Sequence, residues 1–533
     1  MERETIRILN RMSFRVSDNA LYRKSLFSKR NAGIRRDIHV YLIIPRLLKM
    51  HQPRFHSAHP LRGAPRCMGV MQLAFLLQVV RGHCVNLSAS WKSRKQGSTM
   101  YKSDTLQIHI RKGDIPLNEV RKWIREENSV WSDIVPDPRV PRYESLIGSP
   151  HLHRVSTSEL IDWTIYGSKA YQFLIQFCKG RLEKSRYAHT DPLKHFVVQQ
   201  LLEDKTMISS TSKQSQQDML ECSDPRTQES IHVRNEELQS LDVYIRNIQK
   251  QLESANRIFP KIPSKISTRK LIRSAIRGAK GLCKVWKKPN TSPAARWGSS
   301  WSPSSNGSRK RGAYCCITTQ LSPWLAIGAI SPRTVWRFIQ CSSKKPMCTS
   351  VQSLKGQLLW RESFHAIGHA ALSEDKELKS LRVKSFWTHP DKFAPPWYTY
   401  SKNTKTIIGK NEVLHKWMQG RLSAKDGPPF RNDPIDTNTS MQQLIQTGWI
   451  HHLQRHLVAS VLTRPYNVSY RGLGQHWLHG ESTFRTYLLD HDACINRANY
   501  MWIAGVAFSS KLKSPQYAYR EDDYIRRRVA RCV

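Results

Sequence analysis

The chain has 533 residues, 39% of them apolar, which is enough for two or three domains with packed cores. Lys and Arg number 85 against 41 Asp and Glu, a formal net charge of +44 that favours a polyanionic partner, most simply nucleic acid. An anionic membrane surface would satisfy the same charge, but no apolar stretch is long enough to span a bilayer. Eleven cysteines are scattered without a C-x-x-C pair. They form neither a disulfide framework nor a zinc site, and they point to a reducing compartment.

The opening MERETIRILNRM carries acids and lacks the apolar centre of a secretory signal; its arginines are compatible with an organelle transit role. KRNAGIRR at 29–36 and SRKRG at 308–312 would serve nuclear import, so the nucleus or the cytoplasm is expected. Residues 1–130 alternate apolar runs with turns. IHVYLIIP at 38–45 and TLQIHI at 105–110 read as strands, and GVMQLAFLLQVV at 69–80 as a core helix. Residues 131–235 show little periodicity and read as a linker, partly disordered, most polar from Asp204 to Arg234. Leu238, Leu241, Ile245, Ile248 and Leu252 then mark an amphipathic helix. Residues 286–312, rich in Ser, Gly, Pro and basic groups, fit a solvated loop or a basic loop beside a phosphate-bearing ligand.

The most informative stretch runs from Thr447 to Gly505. Ile445, Trp449, Leu453, Leu457 and Val461 recur every four residues and predict one buried helical stripe. His452 and His456 share a face beside it, with Arg455 next to them. Such a face fits a polar ligand site, and equally two core histidines with a structural ion pair. Asp490 and Asp492 close an apolar run, and Asn496, Tyr500 and Trp502 follow.

TTQLSPWLAIGAISPR at 318–333, GQLLWRES at 356–363, TGWIHHLQRHLVASVLTR at 447–464 and LLDHDACINRANYMWIAG at 488–505 stand in that order. Together these four segments resemble the cryptochrome/DNA photolyase family, in its animal-type cryptochrome and (6-4) photolyase branch. The resemblance covers roughly Leu271 to Val529. Trp417, Gly420, Arg421, Asp436 and Met441 also match a family motif, interrupted here by extra residues. The resemblance implies FAD as cofactor. Thr318, Thr319, Gln320, Leu321 and Ser322 would hold its diphosphate, since free N–H groups at a helix start suit phosphate. Arg361, Arg455, Asp490, Asp492 and Asn496 would line the flavin, with Arg455 and Asp490 paired, Asp492 at the ring edge and Asn496 at N5. Gln357 and Trp360 would face a substrate cavity, where Trp360 could stack on a flipped-out base. His452 and His456 would act as catalytic groups that protonate the lesion. Trp477, Tyr500 and Trp502 would carry electrons to the flavin, although Tyr500 stands where the family has Trp. FRVSDNALYRKS at 14–25 matches the family's opening only distantly, and Ile44 replaces an expected Asp, so the antenna chromophore is left open.

The expected fold is an α/β N-terminal domain, Rossmann-like with a parallel sheet, over residues 1–130. The linker follows at 131–235, and a larger all-α FAD-binding domain fills 236–533. The expected function is blue-light-driven repair of UV-damaged DNA, of (6-4) pyrimidine photoproducts, by electron transfer from excited reduced flavin. The alternatives are a cryptochrome photoreceptor that signals through protein partners, and a divergent basic binding protein without FAD. No metal and no membrane contact are expected.

Overall fold

The computed structural model describes residues 5–9, 37–48, 67–94, 105–113, 115–126, 129–133, 151–155, 159–160, 230–233, 235–260, 319–341, 349–372, 412–423, 434–463 and 473–506. The basic runs at 29–36 and 308–312, the 14–25 segment, the 286–312 loop, Thr318 and the extra residues at 424–433 lie outside them.

Six strands form one parallel sheet: β1 (Thr5–Leu9), β2 (Asp37–Ile44), β5 (Thr105–Lys112), β6 (Ser129–Asp133), β7 (Leu152–Val155) and β8 (Ser230–Val233). Their spatial order is β7-β6-β1-β2-β5-β8. Two short strands, β3 (Arg46–Leu47) and β4 (Cys67–Met68), pair separately. β2 lies inside the sheet, paired to β1 and β5. Its C-terminal half is buried on both faces and reads as an apolar run, with Leu42, Ile43 and Ile44 inside, while nearer its start Val40 is buried and His39 and Tyr41 are half-buried. β7 and β8 fall in the stretch expected to be linker. Each is four residues long, too short for an alternation to stand out, and each forms an edge of the sheet through backbone hydrogen bonds to β6 or β5 that residue type does not encode.

The helices are α1 (Val70–Arg94), α2 (Leu117–Arg125), α3 (Asn235–Ser254), α4 (Ser322–Ala326), α5 (Pro332–Cys341), α6 (Thr349–Leu372), α7 (Glu412–Gln419), α8 (Pro434–Thr447), α9 (His452–Thr463), α10 (Trp477–Tyr487) and α11 (Ala493–Ile503). No described helix is long and apolar enough to cross a membrane. α3 has the expected buried stripe, with Leu241, Ile248 and Leu252 inside. It packs on α1, where Arg81 pairs with Asp242.

The stripe expected from Ile445 to Val461 does not lie on one helix. α8 stops at Thr447, Gly448 turns at φ +72°, and α9 starts afresh at His452. Leu457 and Val461 are buried, whereas Ile445 and Trp449 are half-buried. The reason is local. The Thr447 hydroxyl accepts from Trp449 N at 3.2 Å, and Gly448 takes a left-handed conformation that a side chain disfavours.

α7 through α11 surround one core containing Trp417, Met441, Leu457, Trp477 and Tyr500. The interrupted motif at 417–441 closes on it. Trp417 Nε1 donates to Val458 O at 3.2 Å, and Asn438 exchanges two hydrogen bonds with Leu422 at 2.8 and 2.9 Å. Gly420 sits at φ +64°, Met441 is fully buried and Arg421 is exposed.

The start of α1 meets this helical core at Gly69. A Cβ there would collide with Thr486 O and stand 2.6 Å from Arg485 O. Both are backbone carbonyls in the last turn of α10, so they yield only by a shift of the main chain. Gly69→Ala should therefore destabilise the protein by about 1–3 kcal/mol, as overpacking does, measured as a lower denaturant midpoint. An unchanged midpoint would contradict this contact.

Candidate functional site

Two turns meet and bring the candidate residues together. The first is Gly448–His451, between α8 and α9; the second is Leu488–Asp492, between α10 and α11. Leu489 N donates to Gly448 O at 2.8 Å, and a Cβ on Gly448 would lie 2.8 Å from Leu489 Cγ. Glycine is thus required on two counts, conformation and space. α9 is started by its own third residue: Gln454 Oε1 accepts from His451 N at 2.9 Å, half of a capping box. Arg455 then has its geometry set. Its Nε donates to Ile450 O at 3.0 Å and its Nη2 to Asp490 Oδ2 at 2.9 Å. Asp490 is buried, and its Oδ1 has no hydrogen-bond partner among the described residues.

Asp492 is differently placed. Its Oδ1 caps α11 by accepting from Cys494 N at 3.1 Å and Ile495 N at 3.3 Å. Its Oδ2 accepts from His365 Nε2 at 3.0 Å and from Arg361 Nη2 at 3.5 Å. A carboxylate offers about four lone-pair positions, and protein donors fill those of Asp492. It therefore serves as a cap and an anchor, and the ring-edge contact expected of it has no vacant lone pair.

His365 Nδ1 in turn lies 2.8 Å from Glu159 Oε1, and His369 Nε2 lies 3.3 Å from the same oxygen. Ionised carboxylates only accept, so His365, placed between two of them, donates from both nitrogens and is an imidazolium. Burial works against that charge; the Asp492 carboxylate and the bonds to Asp492 and Glu159 raise the pKa above the ordinary value in spite of it. Burial likewise works against the Glu159 charge, yet hydrogen bonds from His365 and His369 hold its pKa well below the usual range. Glu362 goes the other way, raised by burial and then by the Glu159 charge, while its Oε2 accepts from Leu160 N at 2.7 Å. Arg333 Nε completes the clamp by donating to Leu160 O at 3.0 Å.

The remaining expected residues are placed as follows. Asn496 is buried at one turn into α11, and its Nδ2 donates to Glu481 O at 3.0 Å. Glu481 also pairs with Arg497 at 3.3 Å. His452 is exposed, its ring 4.4 Å from that of the buried His451; His456 is half-buried with its ring edge-on to Trp502 at 5.8 Å. Gln357 and Trp360 are both half-buried, one turn apart on α6, and Trp360 lies 6.0 Å from Phe364. Trp477 is fully buried against His476. Tyr500 is buried too, with its ring over Gly480, where a Cβ would stand 2.7 Å from the tyrosine Oη. Among the 318–322 residues, Leu321 is buried while Gln320 and Ser322 are exposed. Thr319 Oγ1 accepts from Leu321 N at 3.5 Å, and Gln320 sits at φ +51°. The helix that follows, α4, has five residues and no side-chain cap.

Sequence reasoning missed Glu159, Glu362, His365 and His451. Glu362 and His365 lie within a turn of Arg361 on α6, so helical spacing could have flagged them. Glu159 carries no local signal.

Residues 353–529 match the family described as the FAD binding domain of DNA photolyase. A "(6-4)DNA photolyase" of Arabidopsis thaliana is 33% identical over 193 residues, covering 36% of this chain and 28% of that protein. "Cryptochrome-2" of Gallus gallus is 36% identical over 195 residues, covering 36% of this chain and 27% of that protein. The chain thus spans less than a third of the length of these relatives. A solved bacterial class III photolyase from Agrobacterium tumefaciens overlays with a TM-score of 0.45 at 15% identity, over 99% of this chain and 87% of that one, too loosely to carry weight. The resemblance to photolyases and cryptochromes holds for the C-terminal third. Within it, the open Asp490 Oδ1 is a buried acceptor of the kind an N–H-bearing ring such as a flavin needs; Asp492 offers no such atom.

Burial, and then the Arg455 charge, lowers the pKa of His451 to about 4; burial, and then His476, does the same to His479. Both are neutral when folded, while the unfolded chain takes up protons near pH 6.5. Their stabilisation is therefore complete above that value and declines as pH falls from about 6.5 towards 4. Unfolding measured at pH 7 and pH 5 should show a drop of about 2 kcal/mol for each. His479→Gln should shrink that drop by one such share; an equal drop in the variant would rule out this origin.

Proposed function

We propose that the C-terminal helical region binds FAD non-covalently and that the protein uses it for blue-light-driven repair of (6-4) pyrimidine photoproducts in DNA. The observation that supports this most is the buried Arg455–Asp490 pair with one carboxylate oxygen left open, set in a segment similar to the FAD binding domain of photolyases. Bound FAD supplies the light-driven electron; the chain supplies position and charge. Asp490 would accept an N–H of the ring, with Arg455 orienting the carboxylate. Asn496 donates one N–H of Nδ2 to the Glu481 carbonyl, which fixes the amide and leaves its second N–H and Oδ1 for a ligand. Being an amide, it supplies no acidic proton and leaves a reduced, anionic ring unprotonated. His456, half-buried beside Trp502, would give a proton to bound substrate, with the exposed His452 as its neighbour on α9. Gln357 and Trp360 offer an amide edge and a ring face to a flipped-out base. The +44 charge supplies the sequence-independent attraction to the phosphate backbone.

A signalling photoreceptor without repair is the second reading, supported by similarity to cryptochromes at the same level as to a (6-4) photolyase. Protein expressed with ample flavin should show flavin absorbance, and Asp490→Ala should lose it. Colourless wild type would sink both readings in favour of a FAD-free binding protein. Colour without turnover of lesion-bearing duplex in light selects the signalling reading. If repair occurs, His456→Ala should abolish it with DNA affinity nearly intact, and that affinity should fall steeply with salt.

Tyr500 bears on how the flavin is reduced. Its Oη is buried with no hydrogen-bond partner among the described residues, and burial, then the Glu481 charge, raises its pKa well above 10. With no acceptor among those residues for its proton, its oxidation is disfavoured. Wild type should therefore bleach slowly under blue light with an external donor, and Tyr500→Trp should bleach faster. Equal rates would contradict this account.

A further inference from the structure

A buried histidine outside the expected site holds one of its anchors. We propose that His365 is a positioning residue of the candidate flavin site: it fixes Asp492, and with it the start of α11, and is itself fixed by Glu159 of the 159–160 segment. This rests on the FAD reading of the site.

The geometry is a chain of four charged groups, Glu159–His365–Asp492–Arg361, with spacings of 2.8, 3.0 and 3.5 Å. All four are buried; Glu159 and His365 have no exposed surface. Two negative and two positive groups balance, which is how charges survive out of water. Asp492 starts α11, the helix that carries Asn496, and it lies two residues from Asp490, which pairs with Arg455. Arg361 at 3.5 Å is a long contact, so the 3.0 Å bond from His365 does more of the holding. Without His365, the Asp492 carboxylate would lose its nearest charged donor and be free to rotate from its cap. Glu159 acts on His365 as His365 acts on Asp492. It orients the imidazole, keeps it charged, and sits in a segment pinned at Leu160 by Arg333 and Glu362. The segment around 159, some 200 residues before His365 in sequence, is thereby tied to the flavin-facing helix.

A merely structural network would change melting and nothing more, whereas a positioning network also links ligand affinity to the His365 proton. The groups facing it are Glu159, then Arg361, Glu362 and His369 of α6, and Asp492 at the start of α11. Its folded pKa is raised, so the hold on Asp492 is complete at low pH and is lost as pH rises through that value.

The experiment is equilibrium titration of the full chain with FAD, followed by flavin fluorescence from pH 6 to 10, with melting recorded in parallel. His365→Gln should weaken FAD binding on the order of 10- to 100-fold, the range for a lost hydrogen bond to a charged group. Glu159→Gln keeps shape but removes the charge that favours the imidazolium. It should move the alkaline midpoint of FAD binding down by about 1–3 pH units. If His365→Gln fails to fold, the Glu159→Gln midpoint decides alone. Wild-type affinity and midpoint in both variants, even with lowered melting, would overturn the inference and leave the FAD reading intact. Wild type that takes up no FAD would overturn both.

Discussion

Two carboxylates, two residues apart, are buried in one turn, and each must be neutralised there. An ionised carboxylate left unpaired in a protein interior costs several kcal/mol, so the turn at Asp490–Asp492 exists only if cations are delivered to it from elsewhere. α9 delivers Arg455 to Asp490, and α6 delivers Arg361 and His365 to Asp492. The packing of these helices is thus a condition for burying the turn, and the turn in turn sets where α11 begins.

The same constraint reaches the N-terminal half. Gln72 of α1 donates to the carbonyl of His491 at 2.7 Å, between the two aspartates, and Gly69 allows α1 to touch the last turn of α10. Glu159 extends the network to a third region of the chain. Segments that share no local sequence signal therefore converge on one turn, because a buried charge needs partners and the near neighbours in sequence cannot supply enough of them.

Around the turn the core is apolar and close-packed. Tyr500 lies against Gly480 with no room for a side chain, and Phe484 meets its ring edge at 5.2 Å. Such a core tolerates a tyrosine with an unbonded hydroxyl only at a cost. The position is one where shape is satisfied and polarity is not.

Sequence alone determined the elements whose signal is local or periodic. β2, β5, the core helix α1 and the amphipathic α3 follow from apolar runs and 3.6-residue spacing. The pairing of Arg455 with Asp490 was legible through a family resemblance, since the motif segments stand in order. The break at Gly448 was hidden because the apolar period runs through it; the local Thr447–Gly448 turn makes the break, and contact with Leu489 adds to it. β7 and β8 were hidden because a four-residue edge strand is defined by the neighbour it bonds to. Asp490 and Asp492 look equivalent in sequence. Tertiary structure alone decided that one keeps an open oxygen while the other is filled by two backbone donors, a histidine and an arginine, because donors to a buried acid come from whichever elements pack against it.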